Sequence, residues 1–451
     1  MNVCNEVILK LASNPSKVVF EYLGLRVTAD QFLKCIKNFE LHMRVNGVDR
    51  SSCVALFADD VSIATALTLA VGLIGCKWVK ISSSSVANVD CTHAIYYHEK
   101  KIINDGPNVI RVGKSWMNPP VVLPKIPTEE YNPKDIWMIG ESSGTTGRTK
   151  FIELTYQNYF NRVFDDAKDF LSKRQKVWFA YHPLKSSVQY KAITAILNNL
   201  TVITKMGYRD LQSNPNTLIV GSLGQINALI DKEPPPRKPF NITVDVTGAA
   251  TSKADAARFL KYFKEVRLCY GSTEASRSHQ KTITHIDQYN GSVGNPLPSC
   301  KADIDANGVV RIWTPRTAAG YINGERFSEG WFTPNDTGEV VNGELFITGR
   351  TNDQLNKGGV KIDPVEIETI MNSVYGVERS MLFVDEFNLC AIIVGKAEAK
   401  SIYEKCLNEV EISKIPVCYY FSDSLPMNEN GKYSRREANQ FVSDLQPVLL
   451  A

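Results

Sequence analysis

Short apolar runs alternate with helical periodicity from residue 1 to about residue 130. Cys53-Val54-Ala55-Leu56-Phe57 is apolar without a break and predicts a buried strand. Asp60 to Cys76 predicts a helix, and its small residues (Ala64, Ala66, Ala70, Gly72, Gly75) suit a packed interior position. Trp78-Val79-Lys80-Ile81 predicts the next strand, so strand, helix and strand follow in the order of a parallel α/β layer. Thr28 ahead of Ala29-Asp30-Gln31-Phe32-Leu33 marks a capped helix start. Ser82 to Ser85 and Pro119 to Pro127 read as connecting loops.

The alternation continues. Asp135 to Gly140 predicts a strand, and Thr155 caps a helix expected from Tyr156 to Leu171. Strands are expected at Val177–Ala180, Thr201–Ile203, Asn241–Val246 and Val266–Cys269. Helices are expected near Tyr190–Asn199 and Lys253–Lys264, with a loop at Glu233–Arg237. From Gly291 onward, short strands such as Val309–Trp313 and Gly/Pro/Asn turns predict a mixed β subdomain ending near Gly349. No internal repeat or low-complexity tract interrupts this pattern.

Composition narrows the class. A chain of 451 residues is too long for one simple core and implies two to four units. A net charge of +3 gives no strong pull toward nucleic acid or a membrane surface. Met1 to Glu6 has neither the basic start nor the long apolar run of a secretory leader. The most apolar stretch, Val61 to Cys76, is shorter than the ~20 residues a membrane span needs. The expectation is a soluble, cytoplasmic protein with no nucleic-acid partner and no membrane span. Ten cysteines form no C-x-x-C pair, and the histidines form no H-x-x-x-H pair, so buried thiols in a reducing cytosol and no structural metal are expected.

Five segments carry candidate chemistry. Ser142-Ser143-Gly144-Thr145-Thr146-Gly147-Arg148-Thr149-Lys150 is rich in hydroxyls and backbone N–H groups, and its glycines permit close approach to phosphate oxygens. It is not a G-x-x-x-x-G-K-[ST] loop, because its second glycine comes too early. A Ser/Thr/Gly linker has the same composition. Tyr270-Gly271-Ser272-Thr273-Glu274 is expected as a turn after a parallel strand, where ligands collect in open α/β sheets. There Tyr270 offers a face for stacking, Thr273 a hydroxyl for phosphate and Glu274 a hard oxygen for magnesium; an ordinary turn with a solvated glutamate is the bland alternative. In Gly330 to Gly338, Asp336 is placed to accept from two ribose hydroxyls, or simply to close an Asx-type turn. Gly349-Arg350-Thr351-Asn352-Asp353 runs on through Gly358-Gly359 to Pro364-Val365-Glu366-Ile367-Glu368, and Asn430-Gly431-Lys432, by itself a turn with an exposed lysine, lies near the C-terminus.

Together, in this order and spacing, the five segments resemble the adenylate-forming superfamily of acyl- and aryl-CoA ligases, peptide-synthetase adenylation domains and firefly luciferase. The resemblance runs from about Ser52 to Lys432. It departs at Thr149, where proline is usual, at Asn335-Asp336-Thr337-Gly338, where Gly-Asp-x-Gly is common, and at Asn352, often acidic or lysine. What it implies is an α/β fold: a large N-terminal lobe of layered α/β subdomains plus a β subdomain over 1–348, which binds AMP, and a small mobile α+β lid over 349–451. It also implies two half-reactions. A substrate carboxylate attacks the α-phosphate of ATP, and a thiol then takes the acyl group from the adenylate. By motif match, Ser142, Ser143, Gly144, Thr145, Thr146, Gly147 and Lys150 hold phosphate, and Glu274 holds magnesium beside Thr273. Gly248, Ala249, Ala250, Tyr270, Gly271 and Ser272 border the nucleotide; Asp336 and Arg350 hold the ribose. Lys432 reaches carboxylate and α-phosphate, Asn352 is the hinge, and Gly358-Gly359 leave room for a pantetheine tunnel.

The acid pocket is expected around Tyr181, His182, Ser186 and Ser187 together with Gly248–Thr251 and Tyr270–Ser272. Serine stands at position 186, where the family often has histidine, and Tyr181 stands where dihydroxybenzoate-activating members have asparagine. No convincing aspartate occupies the position that grips an α-amine in amino-acid adenylation domains. The reading favours an aromatic or medium-chain acyl acid, with coenzyme A as thiol. Because only about twenty residues follow Lys432, a carrier-protein phosphopantetheine would have to come from a separate acyl carrier protein, the alternative acceptor. A catalytically silent nucleotide-binding protein is the reading from another class.

Overall fold

Two large sheets carry the chain's first 300 or so residues, and each is parallel at its centre and antiparallel at an edge. The computed structural model describes all residues except 1–2, 23, 81–88, 98–107, 114–115, 117–130, 144–148, 166–173, 232, 328, 352–354, 358–359, 386–387, 428–432 and 451; at 143, 149, 356, 360 and 361 it describes backbone alone. The seven-stranded sheet runs in the order Gly320–Tyr321, Thr149–Thr155, Ile136–Ser143, Lys77–Lys80, Cys53–Ala58, His93–Tyr97, Val109–Arg111. The five strands from Ile136–Ser143 to Val109–Arg111 pair in parallel, and the hairpin Ile136–Ser143/Thr149–Thr155 turns the edge antiparallel. In the nine-stranded sheet the central parallel strands include Lys176–Phe179, Thr217–Ser222, Phe240–Thr247 and Phe263–Ser272, and Ser276–Ile283 closes it antiparallel.

The helix Val61–Ile74 lies inside, and nearly every residue of it is buried. Asp60 caps it by accepting from the N–H groups of Ser62 and Ile63, and Gly75 ends it in the left-handed conformation, φ 85°. Its small residues are needed for close approach: a Cβ at Gly72 would stand 2.2 Å from Cys4 Sγ and 3.0 Å from the buried Trp137 ring. Thr28 forms a full capping box with Gln31 at the head of Ala29–Val45. One core joins these helices to the facing sides of the two sheets, and a second lies around Phe259, Phe263 and Val244.

The C-terminal lobe is α+β. Its four-stranded sheet, in the order Val377–Asp385, Asn388–Gly395, Cys418–Ser422, Val448–Leu449, packs on the helices Pro364–Asn372 and Ala399–Leu407 around a core of its own that includes Ile367, Leu382 and Ile402. The expected class, a large layered α/β lobe with a small α+β lobe, is the one observed. Among the described residues no helix is long and apolar enough to cross a membrane. All ten cysteines are free thiols.

Several elements depart from the sequence reading. Thr149 and Lys150, expected at the end of the Ser142–Lys150 loop, open the strand Thr149–Thr155, which pairs across the hairpin with Ile136–Ser143. The helix expected from Tyr190 begins at Ser186, and Tyr270–Ser272, expected in a turn, extend the strand Phe263–Ser272, leaving the turn to Thr273–Ala275. The strand Thr217–Ser222 and helix Leu223–Ile230 had no counterpart in the reading. The β subdomain is not closed on itself, because Asn295–Pro296 and Gly320–Tyr321 pair with the two large sheets. The helix expected to reach Leu171 is described to Asp165. The loops at Ser82–Ser85 and Pro119–Pro127, and Ile81, lie outside the described residues.

His279 gives the fold a pH dependence. It is buried opposite Tyr270, and loss of hydration pushes its imidazole from 6.5 down to about 4. The unfolded chain therefore binds a proton between these values that the native state refuses, so stability falls as pH falls from 6.5 toward 4. Between pH 7 and pH 5 this group should cost about 2 kcal/mol, measurable as the part of the drop in the urea midpoint that His279→Gln removes.

Candidate active site

Glu274 is the centre around which the described site residues gather. It lies in the turn between Phe263–Ser272 and Ser276–Ile283, where the strands approach so closely that a Cβ at Gly271 would stand 2.2 Å from the Ser276 carbonyl oxygen. Ser272 Oγ accepts from the Ala275 N–H at 3.0 Å and fixes the turn. Arg162, fully buried on the helix Tyr156–Asp165, donates to the carbonyls of Thr273 (2.9 Å), Glu274 (2.8 Å) and Arg316 (3.0 Å). Burial pushes its guanidinium down to about 10, so it stays charged at neutral pH.

The Glu274 carboxylate is buried and accepts, at Oε1, from Ser142 Oγ at 2.5 Å and Tyr321 OH at 3.0 Å. The hairpin register sets Ser142 opposite Lys150, whose Nζ lies 4.8 Å over the Tyr321 ring. Ser142, Lys150, Glu274 and Tyr321 thus come together from three separate stretches of chain. Gly144, Thr145, Thr146 and Gly147 lie outside the described residues, and Ser143 is described by its backbone alone.

A second carboxylate follows the same scheme. Asn335 turns the chain at φ 61°, and Asp336 opens the strand Asp336–Val341 opposite Arg350. Asp336 accepts from Tyr270 OH at Oδ2, 2.6 Å, and from Arg350 Nε at Oδ1, 2.7 Å. Burial first, and the Asp336 charge second, hold the Tyr270 phenol well above its ordinary value, so it is a donor at any physiological pH.

Tyr181, Ser186, Ser187, Gly248, Gly271, Ser272 and Thr273 line a cavity of about 100 Å³ beside Tyr270. Tyr181 OH and Thr247 Oγ1 are hydrogen-bonded at 2.5 Å, and Lys185 Nζ lies 3.8 Å over the Tyr181 ring. His182 is not among the lining residues: its ring meets the edge of Phe57 with centroids 6.0 Å apart. Much of its surface is open, yet crowding by protein first and the Lys80 charge second push it down to about 4. Ala249 packs against the core around Phe259, and Ala250 is exposed.

In the C-terminal lobe Lys432, Asn352, Gly358 and Gly359 lie outside the described residues. Their surroundings are partly fixed. Glu368, half-buried on the helix Pro364–Asn372, accepts from the Leu382 N–H at 2.7 Å and from Arg435 at 2.6 Å. Arg379 pairs with Asp255 of the large lobe and donates to Tyr433 OH at 2.7 Å. The Tyr433 ring packs against cores of both lobes.

Sequence reasoning missed Arg162, Tyr321 and Lys191. Arg162 and Lys191 each carry a charge on the buried face of a helix, beside Tyr159 and Val163 or beside Tyr190. That break in amphipathic pattern was the available signal. Tyr321 follows no motif and meets Glu274 only through the pairing of Gly320–Tyr321 with Thr149–Thr155.

The family described as AMP-binding enzyme matches residues 9–322. The chain is 24% identical over 386 residues to the uncharacterized acyl-CoA ligase YhfT of Bacillus subtilis, covering 80% of each. It is 23% identical over 349 residues to the 2-succinylbenzoate-CoA ligase of Bacillus licheniformis, covering 68% of this chain and 71% of the other. Its fold is similar to that of o-succinylbenzoate CoA synthetase from Bacillus subtilis in complex with the acyl-adenylate intermediate, with TM-score 0.80, 19% identity, and 96% and 97% of the two chains covered.

The Arg162 contacts make a stability prediction. Arg162→Met keeps the bulk and removes a donor from the Thr273 and Arg316 carbonyls, while the Glu274 carbonyl keeps the Ala318 N–H at 2.8 Å, and should lower unfolding free energy by about 2–3 kcal/mol. Urea midpoints measure it; a loss under about 1 kcal/mol would mean that other donors already serve those carbonyls.

Proposed function

The chain belongs to the AMP-binding enzyme family, and from that premise we propose that it is an AMP-forming acid–thiol ligase acting on an aromatic or medium-chain acyl acid, with coenzyme A as the acceptor. The observation that carries this reading is the convergence of Ser142, Lys150, Tyr321 and Glu274 at one end of the sheets, with Tyr270, Asp336 and Arg350 in a second group linked to it through the same strand and turn. The names of the relatives, acyl-CoA and 2-succinylbenzoate-CoA ligases, support the reaction class.

The difficulty of the first half-reaction is that a carboxylate must approach a triphosphate. Lys150 and the hydroxyl-rich segment 142–150 supply positive charge and donors to the phosphates. Magnesium suits the site: it needs one or two carboxylates besides phosphate oxygens and water, and Glu274 offers one buried carboxylate whose described donors both go to Oε1. Bound there through Glu274, it would neutralise phosphate charge. Among the described residues no group of three or more acidic, histidine or cysteine side chains is placed to hold a metal independently of the nucleotide. Asp336 has one donor on each oxygen and keeps lone pairs for ribose hydroxyls, with Arg350 and Tyr270 fixing its plane. Thr273 and Ser272 face the cavity that takes the acid.

Lys432 is assigned to the carboxylate and α-phosphate, and Asn352, Gly358 and Gly359 to the hinge and the thiol's approach. The boundary between a nucleotide-binding unit, 1–348, and a lid, 349–451, is supported by the separate core around Ile367 and Leu382. The strand Glu344–Arg350 crosses that boundary and leads into the hinge.

Pyrophosphate release with ATP, magnesium and a panel of aromatic, fatty and amino acids, with and without coenzyme A, tests the reaction. An acid-dependent signal with an acyl-CoA product is expected. A product that stops at adenylate would move the acceptor to a separate carrier protein, and silence with every acid would overturn the ligase reading. Glu274→Gln should lower adenylation about 100- to 1,000-fold. Lys432→Ala should abolish adenylation and spare thioester formation from supplied adenylate; equal loss of both steps would refute its role.

A further inference from the structure

Two of the ten thiols stand as a pair. Cys53 Sγ and Cys91 Sγ lie 3.9 Å apart, on the side of the seven-stranded sheet that carries Ala55 and Val79. Thr92 ties the two stretches of backbone together: its N–H donates to the Cys53 carbonyl at 2.9 Å, and its Oγ1 accepts from the Cys53 N–H at 3.0 Å. Cys53 is buried at the head of the strand Cys53–Ala58, whereas Cys91 lies just ahead of His93–Tyr97 and is partly open to solvent. Of the other eight cysteines, seven are buried and Cys35 alone is partly open. Lys77 stands in register with Cys53 on the neighbouring strand, so a cation accompanies the pair. The Cys91 hydrogen bond holds the Cys53 thiol below its ordinary value against burial, and the Lys77 charge works in the same direction against that of Asp90. Burial pushes the Cys35 thiol the other way, up to about 12.

The composition alone treats every cysteine of this chain as an inert buried thiol; the pairing sets these two apart. A thiolate is the reactive form of cysteine, and a second thiol within reach turns its oxidation into a disulfide. We propose that Cys53 and Cys91 form a reversible oxidation site, closed to a disulfide by a hydroperoxide, of which hydrogen peroxide is the simplest. One sulfur, as thiolate, attacks a peroxide oxygen; the O–O bond breaks, water leaves, and a sulfenic acid remains. The partner sulfur displaces that hydroxyl as a second water, and the S–S bond forms. Two electrons pass from the sulfurs to the peroxide, and both thiol protons end in the two waters. Cys390 and Cys418 also face each other, in register on adjacent strands of the small lobe, but both are buried there and neither offers the peroxide an open sulfur. The new bond would close a loop running from Cys53 through the helix Val61–Ile74 and the strand Lys77–Lys80 to Cys91, and so restrain the unfolded chain. Both cysteines sit at the N-terminal ends of their parallel strands, whereas Ser142 lies near the C-terminal end of Ile136–Ser143. The site is therefore a staple at the edge of the sheet opposite the candidate active site, and it stands independently of the ligase reading.

The test uses the full chain, reduced, freed of reductant and treated with a small molar excess of hydrogen peroxide under native conditions. Remaining thiols are blocked with a maleimide at set times, and the proteolytic peptides are weighed. A linked Cys53–Cys91 peptide pair, lighter than its two parts by two hydrogens, should form at least about 10-fold faster than Cys35 is oxidised. Dithiothreitol should restore both thiols. The urea midpoint of the oxidised chain should rise above that of the reduced chain, and neither Cys53→Ser nor Cys91→Ser should show that rise. Links that join other cysteines first, loss of Cys53 and Cys91 no faster than loss of Cys35, a product that dithiothreitol does not reverse, or a midpoint that oxidation leaves unchanged or lowers would each overturn the proposal. The peptide mapping and the comparison of midpoints are made on the unaltered chain, so they decide the matter even where a serine variant fails to fold.

Discussion

One buried guanidinium sets the geometry on which the site depends. Arg162 reaches across from the helix after the Thr149–Thr155 hairpin and donates to two carbonyls of the turn at Thr273–Ala275, that of Thr273 and that of Glu274, which the Ala318 N–H also meets at 2.8 Å. The same group holds the Arg316 carbonyl. A charge so deep is expensive to bury, and what it secures is position: with the Glu274 backbone fixed from below, its carboxylate is aimed at Ser142 and Tyr321. The two large sheets and the segment around Arg316 are thereby referenced to one side chain.

The two carboxylates of the site are prepared alike. Glu274 accepts from Tyr321 and a serine; Asp336 accepts from Tyr270 and an arginine. Burial raises both phenols, and the neighbouring carboxylates raise them further, so the phenols keep their protons. Each acid is therefore locked as an oriented acceptor before any ligand arrives. That arrangement suits chemistry in which charge must be met without rearrangement.

What was legible in the sequence was local. Thr28 and Asp60 announce their helices because capping is settled within three residues, and Cys53–Ala58 announces itself as an unbroken apolar run. The lobe architecture followed from the order of such signals and from long motifs. What escaped was decided at a distance. Thr149–Thr155 is a strand because Ile136–Ser143 lies beside it, and Tyr321 meets Glu274 only because the intervening sheet pairs as it does. Charges in helices are ordinarily solvated, so the sequence does not single out Arg162 and Lys191, which packing turns inward. His182 was the converse, a motif position whose ring turns toward Phe57 and away from the cavity.

The joint between the lobes divides its labour atom by atom. Asp255 closes the capping box of the helix Lys253–Tyr262 with Oδ2, which accepts from the Ser252 N–H and hydroxyl, and it meets Arg379 of the small lobe with Oδ1. A latch and a structural cap are thus built into one side chain without sharing an oxygen. Loss of the Arg379 contact would open Oδ1 to water while Oδ2 keeps the helix cap, so the bond between the lobes carries no part of the capping of the helix that receives it.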